Sequence, residues 1–133
     1  MLEAGLTATV SMHVRDADLA SAFAETEVEH YPHVLSTPAL LGLMERACAK
    51  AMVSALGEGQ LSVGVNTDMS HTQPTALDVL VSATATLSKV EGALYWFDVE
   101  AADPAGIVAR ARHARAIVDH VQIEQRAERR RIA

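Results

Sequence analysis

The sequence predicts an α+β domain in which a curved antiparallel sheet wraps around one long central helix. Three observations lead there. An Ala- and Leu-rich run from Thr37 to Leu56 reads as a single long helix. Beyond Gly59 apolar residues recur at alternate positions, through four successive stretches. A further alternating stretch stands ahead of the helix. A sheet with one buried face needs a cover, and only one long helix is available to supply it. The other edge or face of the sheet would then meet a second copy of the chain.

Taken in order, residues 5–14 alternate polar and apolar and form a first strand. Asp16 to Phe23 reads as a short helix, with Asp16 or Asp18 as its cap. Residues 24–36 carry Glu25, Glu27, Glu29, His30, Tyr31, Pro32 and His33 without a period. A loop of that length in a small domain commonly serves as a lid or binding loop. Thr37-Pro38 opens the central helix, the hydroxyl as cap and the proline in the first helical position. Gly57 stops it. In 61–71 the apolar series is Leu61, Val63 and Val65, with Met69 and His71 continuing the same parity. In 77–87 it is Leu77, Val79, Val81, Ala83, Ala85 and Leu87, with Asp78, Ser82, Thr84 and Thr86 opposite and Leu80 the exception. Residues 94–101 place Tyr95, Phe97 and Val99 on one side. Asp103 to Gly106 makes a turn, and 107–119 form the last strand. The charged end, 121–132, is a helix or frayed tail whose Arg126, Arg129, Arg130 and Arg131 read as a solvated terminus.

Composition narrows the function classes. The 133 residues fit one domain spanning 1–133, and half of them are apolar, which excludes a disordered chain. Aromatics make up only 4%, so the core is built from Ala, Val and Leu. A formal charge of −6, with no basic run before the C-terminus, argues against a nucleic-acid partner. Cys48 stands alone, so no disulfide forms within the chain. No charged-then-apolar leader opens the sequence and no stretch suits a membrane span, so the expectation is a soluble cytoplasmic protein.

Glu45 is the conspicuous residue of the helix. Its neighbours at helical spacing are Leu41, Gly42, Cys48 and Ala49, none of them basic. Such a carboxylate either turns to water beside Arg46 and Lys50 or is buried at a cost that wants a reason. His30 and His33 lie close together, but no third metal ligand accompanies them. Cys48 reads as a small core residue. Neither a Gly-rich phosphate cradle nor a Gly-x-Ser-x-Gly elbow occurs.

The helix segment Gly42-Leu-Met-Glu-Arg-Ala-Cys48 is preceded by Thr37 and followed by Gly64, His71 and then His113-Ala-Arg115-Ala. With the order of elements, this resembles the hotdog-fold acyl-CoA thioesterases, and within them the fluoroacetyl-CoA thioesterase group. The resemblance implies a catalytic group of Thr37, Glu45 and His71, with Gly64 and Arg115 lining the acyl and CoA site and Tyr31 meeting substrate from the loop. It also implies a homodimer, or a tetramer built from two such dimers, with coenzyme A as part of the substrate and no separate cofactor or metal. The His-Gly-Gly motif of the phenylacetyl-CoA type and the Asp-to-His pair of hotdog hydratases are missing. The fluoroacetyl-specific members carry a phenylalanine-rich lid, whereas this loop has Val28, Tyr31 and His33.

The chemistry fits those residue types. A desolvated carboxylate at Glu45 becomes a stronger base or nucleophile. His71 supplies the one side-chain type in this set suited to moving protons near neutrality. The N–H groups after Thr37, at the positive end of the helix, could hold a carbonyl oxygen, and Gly64 would let substrate approach the backbone. Each residue also has a structural reading: Thr37 as a cap, His71 as a core residue, Arg115 in a surface bridge to Asp119 or Glu100. Helical rise sets Thr37 and Glu45 about 12 Å apart along the axis. Either the helix begins later, or the thioester lies between them, or a dimer partner completes the site; the last is favoured. The expected function is hydrolysis of a small acyl-CoA at a dimer interface, the alternative a non-catalytic acyl-CoA or acyl-ligand binder on the same fold.

Overall fold

The computed structural model describes residues 2–132; Met1 and Ala133, the ends of the expected domain, lie outside them. Strand β1 (Thr7–His13) leads through two 3-10 turns (Asp16–Asp18 and Ala20–Phe23) and the long loop into helix α1 (Thr37–Met52). Four strands follow, β2 (Gln60–His71), β3 (Leu80–Glu91), β4 (Leu94–Asp103) and β5 (Gly106–Asp119), and then helix α2 (His120–Arg129). All pairings are antiparallel, in the spatial order β1-β3-β4-β5-β2. The two edges are therefore β1 and β2, the strands that flank α1 in sequence.

One sheet face carries Val81, Ala83, Ala85 and Leu87 from β3, Phe97, Val99 and Ala101 from β4, and Ala109 and Ala111 from β5, all buried. Against it α1 sets Leu40, Leu43, Met44, Ala47, Cys48 and Ala51. Each buried Leu or Phe contributes about 1.5–3 kcal/mol. The alanines let the helix lie close to the strands, as the shortage of aromatics implied. The opposite face is polar: Thr9 meets Thr84 and Ser11 meets Ser82 across β1 and β3.

Several boundaries differ from expectation for local reasons. The helix cap is Ser36, not Thr37: Ser36 Oγ accepts from the N–H of Ala39 at 3.2 Å, which puts Thr37 inside the first turn. The helix ends at Met52, and the expected last turn is a 3-10 turn over Val53–Ala55. Strand β3 begins at Leu80, three residues late. Asp78 there takes a left-handed φ of 68° and its N–H bonds the carbonyl of Val14, so Leu77 and Val79 belong to a corner. The expected helix over 16–23 is the pair of 3-10 turns. Neither aspartate stands at the cap position; instead Asp18 accepts from the N–H and guanidinium of Arg15 at 2.9–3.1 Å. The tail does form a helix, capped by Asp119.

The largest departure lies in β2. Its register against β5 slips between Gly64 and Asn66, a bulge that leaves Val65 unpaired. Before the slip Gly64 pairs with Arg115; after it Thr67 pairs with His113, Met69 with Ala111 and His71 with Ala109. Leu61, Val63 and Val65 therefore do not share a face with Met69 and His71. The inner face of β2 runs Ser62, Gly64, then Thr67, Met69, His71.

Candidate active site

The first cluster forms where the start of α1 meets the end of β2. Thr37 Oγ1 and His71 Nδ1 are 2.9 Å apart. Because Ser36 does the capping, the Thr37 hydroxyl is free for the imidazole. That bond occupies Nδ1 and leaves Nε2 as the ring nitrogen able to exchange protons. Beside Thr37 lies a mainly apolar hollow of about 240 Å³ lined by Ala20, Phe23, Tyr31, Ser36, Thr37 and Pro38. Tyr31 thus stands near Thr37; Phe23 was not singled out in the sequence, where it only closed a short helix. The Tyr31 hydroxyl donates to Glu29 Oε1 at 3.0 Å, and Glu29 Oε2 also accepts from the N–H groups of Glu25 and Thr26. One carboxylate therefore ties the loop into shape around that ring.

The second cluster lies two turns along the helix. Glu45 faces Gly64 and Arg115: its Oε1 is 3.7 Å from Arg115 Nη1. It is not unpaired, then, but its basic neighbour comes from β5, which helical spacing cannot reveal. Its side chain stays 46% exposed, so it is neither sealed in the core nor turned wholly to water. A Cβ on Gly64 would lie 3.1 Å from Glu45 Oε2 and 3.0 Å from His113 Cε1, so a larger residue here would have to displace one of those side chains.

Arg115 is buried and makes no bridge to Asp119 or Glu100. Its Nε donates to Ser62 Oγ at 2.9 Å and its Nη2 to the Ser62 carbonyl at 2.8 Å. Its Nη1 lies 3.1 Å from His113 Nε2, and His113 Nδ1 lies 2.7 Å from Thr67 Oγ1. Burial, reinforced by the Arg115 cation and opposed by Glu45, pushes the His113 pKa down, so the ring is neutral at pH 7. Burial pushes the Cys48 thiol up to about 12, which leaves it inert in the core as expected.

One expectation about the helix start fails. Pro38 has no N–H, that of Ala39 is taken by Ser36 Oγ, and that of Leu40 by the Ser36 carbonyl. The groups following Thr37 are thus not available to a carbonyl oxygen. Of the six residues singled out, Thr37, His71 and Tyr31 gather at one end of α1, and Glu45, Gly64 and Arg115 at its middle. From Gly64 to His71 the strand runs roughly 20 Å. The two clusters do not meet within one chain. Among the described residues no group of three His, Cys, Asp or Glu side chains is placed to hold a metal, and no helix is long and apolar enough to cross a membrane.

Residues 14–121 match the family model described as fluoroacetyl-CoA-specific thioesterase. The fluoroacetyl-CoA thioesterase of Streptantibioticus cattleyicolor is 35% identical over 92 residues, which span 69% of this chain and 66% of that one. A solved structure of a fluoroacetyl-CoA thioesterase superimposes with a TM-score of 0.93 at 26% identity, covering 99% of both chains. A hot-dog-like protein from Thermanaerovibrio acidaminovorans gives 0.85 at 26% identity, over 99% of this chain and 95% of the other. The curled five-stranded sheet around one helix is the hotdog fold.

Proposed function

The chain belongs to the fluoroacetyl-CoA-specific thioesterase family, and on that premise we propose that it hydrolyses a small acyl-CoA thioester at a site shared by two copies. The observation that carries this reading is the division of the site residues into two clusters along the inner face of one edge strand. Among the described residues the outer edge of β2 has no partner strand, and Leu61 and Val65 of that strand are exposed. Such an edge invites pairing with a second copy. If two β2 strands pair antiparallel with the twofold axis between Thr67 and Asp68, His71 of one copy comes close to Gly64 of the other. Each site then combines Thr37, His71 and Tyr31 from one protomer with Glu45, Gly64 and Arg115 from its partner.

In that site the acyl group enters the hollow beside Tyr31 and Phe23. Its volume, about 240 Å³, falls below the roughly 300–1,000 Å³ of drug-sized pockets, which suits a short chain. Glu45 acts on the thioester carbonyl as base toward water or as nucleophile. With Glu45 as base, water gives it a proton and the water oxygen bonds to the carbonyl carbon as the C–S bond breaks. With Glu45 as nucleophile, a mixed anhydride forms as the C–S bond breaks, and water then cleaves it, regenerating the carboxylate. In either case the CoA thiolate ends with the proton that water gave up, delivered through His71 Nε2. The Thr37 hydroxyl fixes the His71 ring and polarises the carbonyl. Arg115 keeps the Glu45 carboxylate aimed. Protein side chains and water suffice, with neither metal nor redox cofactor.

The test has two parts. With a panel of short acyl-CoAs, Glu45→Gln is expected to lower thiol release by about two orders of magnitude or more while the protein stays folded. Mixed dimers of Glu45→Gln and His71→Asn are expected to regain activity, because one site in each mixed dimer is intact. If the parent binds acyl-CoA without releasing thiol, the protein is a binder and not a hydrolase. If the mixture stays as inactive as its components, each site lies within one chain.

A further inference from the structure

His113 is buried on the inner face of the sheet, outside the group that would touch substrate. We propose that it is a positioning residue, holding the Arg115 guanidinium in the one orientation that aims it at Glu45. This rests on the hydrolase reading of Glu45 given above.

The hydrogen bonds leave one assignment. A guanidinium only donates, so His113 Nε2 is the acceptor from Arg115 Nη1 at 3.1 Å. The proton of the neutral ring therefore sits on Nδ1 and is donated to Thr67 Oγ1 at 2.7 Å. Ser62 takes the Nε and Nη2 hydrogens on the far side of the fork. Tied at both ends, the planar group keeps its remaining Nη1 hydrogen toward Glu45 Oε1, 3.7 Å away. Without His113, Nη1 would lose its fixed partner on the inner face. The ring is itself held from β2, since Thr67 on that strand accepts from its Nδ1.

Protonation would undo the arrangement. An Nε2–H would confront Arg115 Nη1–H, two donors and two cations at hydrogen-bond distance. The charged groups facing His113 are Arg115 from β5 and Glu45 from α1. Cys48, also on α1 and beside the same pair, remains a neutral thiol. Burial and Arg115 act against the proton and outweigh Glu45.

The experiment uses the full-length protein and four variants: His113→Leu, His113→Gln, Arg115→Met and the His113→Leu/Arg115→Met double variant. Thermal melting verifies folding. His113→Leu is expected to lower kcat about ten- to a hundredfold with little change in KM, as a displaced catalytic group does. His113→Gln, whose amide oxygen can accept from Arg115, is expected to recover most of that loss. In the double variant the leucine should add nothing to the effect of Arg115→Met. Additive losses, or a glutamine variant no better than leucine, would overturn the proposal. Nitrogen-15 NMR gives a readout independent of turnover. The parent should show His113 as the Nδ1–H tautomer, and Arg115 Nη signals resolved by hindered rotation that collapse in His113→Leu. An Nε2–H tautomer, or Nη signals unchanged in His113→Leu, would overturn the anchoring even if the parent hydrolyses acyl-CoA. Conversely, a parent that releases no thiol but shows both signatures would sustain the anchoring and sink the hydrolase reading.

Discussion

Replacing Gly64 by alanine probes the meeting point of helix and strand with one methyl group. On the existing backbone the new Cβ falls 3.0 Å from His113 Cε1, 3.1 Å from Glu45 Oε2 and 3.5 Å from Glu45 Cδ. Non-bonded carbons prefer about 3.5–4.0 Å, so roughly half an ångström must be found. His113 is bonded through both ring nitrogens and buried; Glu45 is the group free to move. The displaced carboxylate would then leave Arg115, which at 3.7 Å is already a loose ion pair. Gly64 does not occupy a left-handed φ, so alanine brings no backbone strain. An interior strand glycine is itself unfavourable by about 0.5–1 kcal/mol, which offsets part of the steric cost. Stability should therefore stay within about 1 kcal/mol of the parent. A catalytic group misplaced by up to an ångström can lose about a hundredfold in rate. The expected fall in kcat/KM is thus tenfold to a hundredfold, or about 1.4–2.7 kcal/mol in the barrier. Thiol release from short acyl-CoAs and a thermal melt read both quantities. A Gly64→Ala protein with the parent's melt and the parent's kcat/KM would refute the claim that Glu45 works from its seat against Gly64.

Three further expectations follow from neighbouring features. Thr37→Val should cut turnover at least about tenfold with little change in melting, because Ser36 holds the cap; Ser36→Ala should cost about 1 kcal/mol of stability, seen in a denaturant titration. Equal melting losses in the two would show that Thr37 shares the capping. The Cys48 thiol, pushed up to about 12 by burial, should resist a disulfide reagent at pH 8 in the native protein and react once denatured. Rapid native labelling would contradict its place in the core. Because His113 is held below the usual histidine range, the unfolded chain binds a proton near pH 6.5 that the folded chain refuses. Stability is then full above about pH 6.5 and declines as pH falls from there toward the folded ring's lower value. His113→Gln should flatten that decline, and an unaltered slope would place its source elsewhere.

The legible parts of the fold were those marked locally. Pro38 near its start and Gly57 beyond its end bracketed α1, and the alternation of Val81, Ala83, Ala85 and Leu87 gave the buried face of β3 directly. The resemblance grouped Thr37, Glu45 and His71, with Gly64 and Arg115 as a lining pair; within one chain the structure instead sets Thr37 beside His71 and Glu45 beside Gly64 and Arg115. What stayed hidden depends on register. Ser36 and Thr37 are adjacent hydroxyls, and only backbone geometry decides which one caps. The partner of Arg115 depends on how β5 lies against β2 and α1, so its own sequence neighbours misled. The slip between Gly64 and Asn66 carries no compositional mark, because Leu61, Val63 and Val65 look like any half-buried strand. His113 could have been suspected as a polar residue at a core-facing position two places from Arg115, but its partners Thr67 and Ser62 could not.

The slip in β2 also bears on how such a chain can change over time. Its two halves run out of step, one presenting Gly64 to Glu45 and the other presenting His71 to Thr37. A point substitution can alter either half alone. Loss of the codon for Val65 itself would remove the bulge and keep both sets of side chains on the inner face, whereas loss or gain of one codon elsewhere in the strand would turn the residues beyond it to the opposite face. This strand should drift by substitution and tolerate a one-residue loss at Val65, while purging single-residue insertions and deletions on either side of it.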